Sequence, residues 1–199
     1  MSGRLVIATA NPDKLREMAE ILDGLHLKPV PIGELVEGWD VEETGCTLEE
    51  NALLKARAAV AATGLPAVAD DTGLSVCALG GAPGIYSARY AGGDCSYSDN
   101  VRKLLDALRG ETGRRRSAAF VTAAALVIPD HGEVCVHGEV RGEIVSEPRG
   151  GGGFGYDPVF LSAELGRTFA ECAPDEKNAV SHRRRALEAL RREMERLGL

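Results

Sequence analysis

The chain has 199 residues, of which 44% are hydrophobic and 27% charged, enough for one sizeable globular domain or two closely joined lobes. Its net charge of -7 argues against a general binder of nucleic acid or membrane surfaces, so any phosphate must be met by a local cluster of donors. No apolar run is long enough to span a membrane, Met1 to Ala8 is too short and strand-like for a signal peptide, and an odd set of five cysteines without a Cys-x-x-Cys pair points to reduced thiols in a cytoplasmic protein.

Arg4 to Thr9 (RLVIAT) predicts a short apolar strand. Asn11 then offers a helix N-cap and Pro12 suits the first helical position, where a missing N–H costs little. The helix runs to about Leu22, with Leu15, Met18, Ala19 and Leu22 on one face and Gly24 as its stop. Leu27 to Ile32 reads as a strand, and its two prolines place it at a sheet edge. Glu42 to Gly45 is a charged turn. Thr47 and Glu50 form a T-x-x-E capping box for a helix through Ala62, whose Ala52, Ala56, Ala59 and Val60 suit close packing on a sheet.

The run Leu65 to Ala69 ends in two adjacent carboxylates, Asp70 and Asp71, and a second run follows from Leu74 to Leu79. Asp-Thr-Gly suits an acidic turn, and a buried strand that delivers acids to its end equally suits a site. Ser98 can cap a helix to about Leu108. Ala118 to Ile128 and Glu133 to Val140 read as a hairpin around Pro129-Asp130-His131-Gly132, and Gly142 to Val145 extends the meander. Glycines 150 to 153 lead to a short strand, Val159 to Leu161. The last predicted element is a helix from Ser181 to about Leu197, with Ala186, Leu187, Leu190, Met194 and Leu197 as its apolar face. Early strand–helix alternation followed by a meander predicts a mixed α/β fold, and no repeat or boundary divides residues 1–199.

Four segments carry chemistry. Thr9-Ala10-Asn11-Pro12-Asp13-Lys14 joins a strand to a helix N-terminus, where free N–H groups, a hydroxyl, an amide and an ammonium favour an anion, although Asn11 could simply cap and Lys14 be solvated. Glu42, Glu43, Asp70 and Asp71 are candidate carboxylates for magnesium, which takes oxygen ligands and often binds with substrate phosphates. Gly152 to Asp157 lets backbone approach a ligand closely and offers an aromatic ring. Lys177, Ser181, His182, Arg183, Arg184 and Arg185 place positive charge at a helix N-terminus, against the dipole, which suggests an anion close by.

Together these residues resemble the inosine/xanthosine triphosphate pyrophosphatase family. The resemblance rests on TANPDK, EETGCTLEENALLKA, ADDTGLSVCALGGAPGIYSARYAG, GGFGYDPVF and EKNAVSHRRRAL, and spans nearly the whole chain. It implies an elongated, two-lobed α/β fold with a central mixed sheet and a cleft between lobes, usually a homodimer. It implies Mg2+-dependent hydrolysis of non-standard purine nucleoside triphosphates (ITP, dITP, XTP) to the monophosphate and pyrophosphate. By the same resemblance, Glu42 and Asp71 bind the metal and Asp71 is also the general base. Thr9, Ala10, Asn11, Pro12, Asp13 and Lys14 bind the triphosphate, and Thr72 contacts substrate. Phe154, Gly155, Tyr156 and Asp157 form the nucleoside loop, and Lys177, His182 and Arg183 contact base and phosphates. The first motif departs from the common T-G-N-x-G-K: Ala10 and Asp13 replace both glycines. A nucleotide sensor without turnover and a pyrophosphatase for modified pyrimidine triphosphates are the alternative readings.

Overall fold

A computed structural model describes residues 3–199. In chain order its elements begin with β1 (Arg4–Ile7), α1 (Pro12–Ile21), β2 (Lys28–Pro31), α2 (Leu48–Thr63), β3 (Ala67–Val76) and β4 (Pro83–Gly84). They continue with α3 (Tyr97–Ala107), β5 (Ser117–Ile128), β6 (Gly132–Ile144), β7 (Phe160–Ser162), α4 (Pro174–Val180) and α5 (His182–Arg196). The sheet order is β2-β1-β3-β5-β6-β7, with β4 paired to β3. The β1–β2 and β1–β3 pairs are parallel, while β3–β4 and β6–β7 are antiparallel, so the sheet is mixed as expected.

The chain divides into two compact units. The first takes the described residues up to Asp71, together with Thr122–Gly138 and Arg183–Leu199; the second takes Thr72–Val121 and Glu139–His182.

In the first unit, β1 sits between β2 and β3, with Ile7 opposite Pro31 on one side and Val68 on the other. Alternation along the strands sorts the side chains onto two faces. Leu5, Ile7 and Val68 pack with Met18 and Leu22 of α1 and with Ala186, Leu187 and Leu190 of α5. Val6, Ala8, Ala67 and Ala69 pack on the other side with Ala52, Ala56 and Ala59 of α2. Parallel strands covered on both faces are the arrangement their continuous apolar runs require. Asn11 caps α1 as read, its side-chain oxygen accepting from the Asp13 and Lys14 N–H groups at 2.9 and 3.1 Å. β2 lies at the edge of the sheet, as its prolines demand.

In the second unit, Leu74, Val76, Leu104, Phe120, Val140, Phe160 and Phe169 form the core. The Phe120 ring lies 4.7 Å from that of Phe160 and 6.3 Å from that of Phe169.

Several boundaries differ from the sequence reading, each for a local reason. Asp70 and Asp71 form no turn; β3 runs straight through them for ten residues. Partners supplied by neighbouring elements allow two carboxylates inside a strand, which pattern reading cannot see. Ser96, not Ser98, caps α3, and Asp99 completes its capping box. Thr47 caps α2 by accepting from the Glu50 N–H, but the Glu50 carboxylate accepts from the Cys46 N–H, not from Thr47. Helix α4, only seven residues long, escaped the periodicity because it is too short to show one. Among the described residues no helix is long and apolar enough to cross a membrane.

The alanine face of α2 makes a test. Ala56 is fully buried against the sheet. Ala56→Leu should cost about 1–3 kcal/mol by overpacking, read as a lower urea midpoint. An unchanged midpoint would contradict the close approach.

Candidate active site

Two adjacent acids on β3 point in opposite directions, because successive strand residues alternate faces. Asp70 shares the face of Val68, toward α1 and α5. Asp71 shares the face of Ala67 and Ala69, toward α2. Each meets its own set of cations and donors.

Asp70 is 1% exposed. Its Oδ2 accepts from Arg183 Nε at 3.0 Å, and Lys14 Nζ lies 3.3 Å from its Oδ1. Arg183 is equally buried, and its Nη1 donates to Glu17 of α1. Burial would raise the proton affinity of Asp70, but Lys14, Arg183 and Lys55 outweigh it and hold the carboxyl well below its usual range. Burial also draws the Lys14 ammonium below the usual lysine value, although Asp70 opposes this.

Asp71 is 6% exposed. Its Oδ2 accepts from Asn51 Nδ2 at 3.1 Å, and Lys55 Nζ lies 3.7 Å from its Oδ1. Lys55 donates at 2.5 Å to Glu43 of the charged loop before α2. Burial raises the proton affinity of Asp71, and the negative charge of Glu43 adds to that, against Lys55, Lys14 and Asn51. Its environment is thus the reverse of that of Asp70, and it suits a proton acceptor. Asn51 also accepts from the Gly45 N–H at 2.8 Å, tying the same loop to the acid. Glu42, the residue the resemblance assigns to the metal, is exposed in this loop.

Whether these residues suit magnesium is a question of donor chemistry. The described residues contain no group of three or more metal-binding side chains. Magnesium usually needs one or two carboxylates and completes its shell with water and phosphate oxygens. Asp71 and Glu43 present hard oxygens on either side of one cation, the Lys55 ammonium. The arrangement fits a cation shared with a phosphate substrate and does not fit an all-protein cage.

The loop preceding Lys14 is ordered by its own side chains. The Asn11 N–H donates to Thr9 Oγ1 at 3.2 Å. The backbone of Ala10 stays out of the left-handed region, so this conformation does not require glycine there. Asp13 pairs with Arg16 at 2.9 Å on the surface, which offsets the extra charge.

In the second unit, Asp157 is buried and accepts from Lys177 Nζ at 2.6 Å and from the Phe154 N–H at 2.8 Å. Lys177 lies 4.5 Å from the Phe154 ring centre, a cation–π contact. The structure thus joins Phe154, Asp157 and Lys177. Tyr156 turns inward, its hydroxyl donating to the Ser87 carbonyl at 2.9 Å. His182 is buried and stacks on Phe120, with ring centres 4.6 Å apart. Thr72 is partly exposed.

A family model matches residues 5–193, and it is that of the Ham1 family. The chain belongs to the Ham1 family. It is 50% identical over 188 residues to the dITP/XTP pyrophosphatase of Geobacter sulfurreducens, covering 94% of each chain. It is 51% identical over 199 residues to that of Xanthomonas oryzae, covering 98% of each. The HAM1 protein of Coxiella burnetii superposes with a TM-score of 0.88 at 46% identity, covering 97% of this chain and 98% of the other.

Sequence reading of this Ham1 chain did not single out Lys55, Asn51 or Glu17. A signal was present for the first two. Asn51 and Lys55 are four residues apart, on the stripe that carries Ala52, Ala56 and Ala59, so both interrupt a buried face with polar groups. The basic cluster at α5 did announce an anion, but for Arg183 the anions are the protein's own Glu17 and Asp70.

Arg183→Met should remove the countercharge from two buried carboxylates and destabilise the fold by about 3–5 kcal/mol. Chemical denaturation checks this; a loss near zero would mean that the carboxylates find other partners.

Proposed function

We propose that this chain hydrolyses the non-standard purine nucleoside triphosphates ITP, dITP and XTP to the nucleoside monophosphate and pyrophosphate. The observation that carries the proposal is Asp71, held between Asn51 and Lys55 beside Glu43, in a chain about half identical to dITP/XTP pyrophosphatases.

The residues divide the work. Asp71 accepts the proton of the water that attacks the α-phosphorus, a role favoured by its raised proton affinity. Magnesium, held by Glu42 and Asp71 with Glu43 alongside, would supply Lewis acidity and acidify water. Lys14, at the N-terminal turn of α1, offsets charge on the phosphates, helped by the positive end of the helix dipole. Thr9 to Asp13 shape that segment, and Thr72 contacts substrate. Arg183 holds Asp70, which in turn holds Lys14.

Base recognition is assigned to the second unit. Phe154 offers a ring face for stacking, with Gly155 giving its loop room, and Asp157 fixes the Lys177 ammonium as a donor. His182, held on Phe120, is a second donor. Hypoxanthine and xanthine carry a 6-oxo acceptor, whereas adenine carries an amino donor. Adenine would leave those donors unpaired, at about 1–3 kcal/mol for each buried group. Guanine shares the 6-oxo group and is discriminated at its 2-amino group. By the same family likeness we propose a homodimer working in the cytoplasm; the free state of all five cysteines supports a reducing compartment.

Pyrophosphate release tests the proposal with ITP, dITP, XTP, GTP and ATP, each with magnesium and with EDTA. Fast release from the first three with magnesium alone is expected, with kcat/KM for GTP and ATP lower by about tenfold or more. Asp71→Asn should reduce turnover by about 100-fold or more while the protein stays folded. Equal release from all five would remove the base selectivity. Binding without release from any would leave a nucleotide sensor.

A further inference from the structure

Asn51 occupies an unusual position for a side-chain amide. It is completely buried on the α2 stripe that otherwise carries alanines. A buried amide is costly unless both ends are satisfied, and here both ends have partners with bearing on the chemistry. The oxygen accepts from the Gly45 N–H at 2.8 Å, and the nitrogen donates to Asp71 Oδ2 at 3.1 Å. Glycine at position 45 is required by the contact itself: a Cβ there would lie 2.6 Å from Asn51 Oδ1 and 2.7 Å from Glu50 Cβ.

We propose that Asn51 is a positioning residue that couples the Glu42–Gly45 loop to Asp71 and fixes the rotation of the Asp71 carboxylate. This role rests on the function proposed above, since Asn51 takes part in presenting that acid. A carboxylate inside a strand can turn about its last bond. Donation to Oδ2 from Asn51, with Lys55 near Oδ1, leaves it one orientation. The same amide holds the backbone of the loop that carries Glu42 and Glu43. Together with Lys55, which bridges Glu43 and Asp71, this side chain sets the distance between the loop acids and the β3 acid, on which sharing a cation and aligning a water both depend.

The test uses three variants in the full chain. Asn51→Ala removes both bonds. Asn51→Asp keeps the size and the acceptor for Gly45 but cannot donate to Asp71. Asn100→Ala is a control. Asn100 is a buried amide of α3 that likewise bridges separate partners, accepting from the Ala91 N–H at 2.7 Å and the Cys95 thiol at 3.2 Å and donating to the Ala88 carbonyl at 3.0 Å. Thermal melting confirms that each variant is folded. Wild-type release of pyrophosphate from ITP is measured first, and its absence overturns the function itself, separately from the role of Asn51. Given wild-type activity, both Asn51 variants should lose at least about 30-fold in kcat with KM for ITP within about threefold. Asn51→Ala should also bind Mn2+ more weakly as the free protein, by about threefold or more in electron paramagnetic resonance titration. Asn100→Ala should melt earlier and keep kcat. Wild-type kcat in Asn51→Asp, unchanged Mn2+ affinity in Asn51→Ala, or an equal kcat loss in Asn100→Ala would each overturn the proposal.

Discussion

The structure depends on Asp70, a carboxylate sealed inside β3 and neutralised from two helices at once. Lys14 reaches it from the first turn of α1 and Arg183 from the first turn of α5. Neither cation could be buried alone, and neither could the acid; together with Glu17 they form a network in which every member compensates another. The network fixes where α1 begins relative to β3. It therefore fixes the Thr9–Lys14 segment, whose ammonium is the group proposed above to meet the phosphates.

Strand alternation then gives the neighbouring acid a different task. Asp71 faces the alanine-rich side, where α2 approaches closely enough for Asn51 and Lys55 to reach it. Asp70 is held below its usual range by three cations, whereas Asp71, also buried, is raised. Two identical residues one position apart are thus given opposite proton affinities by environment alone, which is what the proposed roles of structural counter-ion and proton acceptor require. The small side chains of α2 belong to this arrangement, because larger ones would hold the helix, with Asn51 and Lys55, away from the strand.

Much of this was legible in the sequence, and what was missed has common causes. The Asn11 cap, the edge position of β2, the alanine face of α2 and the apolar face of α5 from Ala186 to Met194 all follow from short-range rules that the structure obeys, while Leu197, expected on that face, lies past the end of the helix and is exposed. The acidic pair was readable as a pair, but its placement inside a ten-residue strand was not. Two carboxylates in mid-strand contradict local propensity, and only the distant Lys14, Arg183, Lys55 and Asn51 make the placement possible. The charge at the start of α5 points to an anion close by, and local sequence cannot show that for Arg183 Glu17, far away in the chain, supplies one. Tyr156 reads from the sequence as part of an aromatic loop, and local pattern cannot show that its hydroxyl finds the Ser87 carbonyl, a pairing that depends on a fold-level contact.

The central claim is that the first unit directs water at the α-phosphorus of a nucleoside triphosphate, with Asp71 taking its proton. Hydrolysis of ITP in oxygen-18 water tests this most directly, with mass spectrometry of both products after a single turnover. The account predicts one labelled oxygen in the nucleoside monophosphate and none in pyrophosphate. Label in pyrophosphate would place the attack on the β-phosphorus, and the assignment of Asp71 to a water aligned on the α-phosphorus would fall.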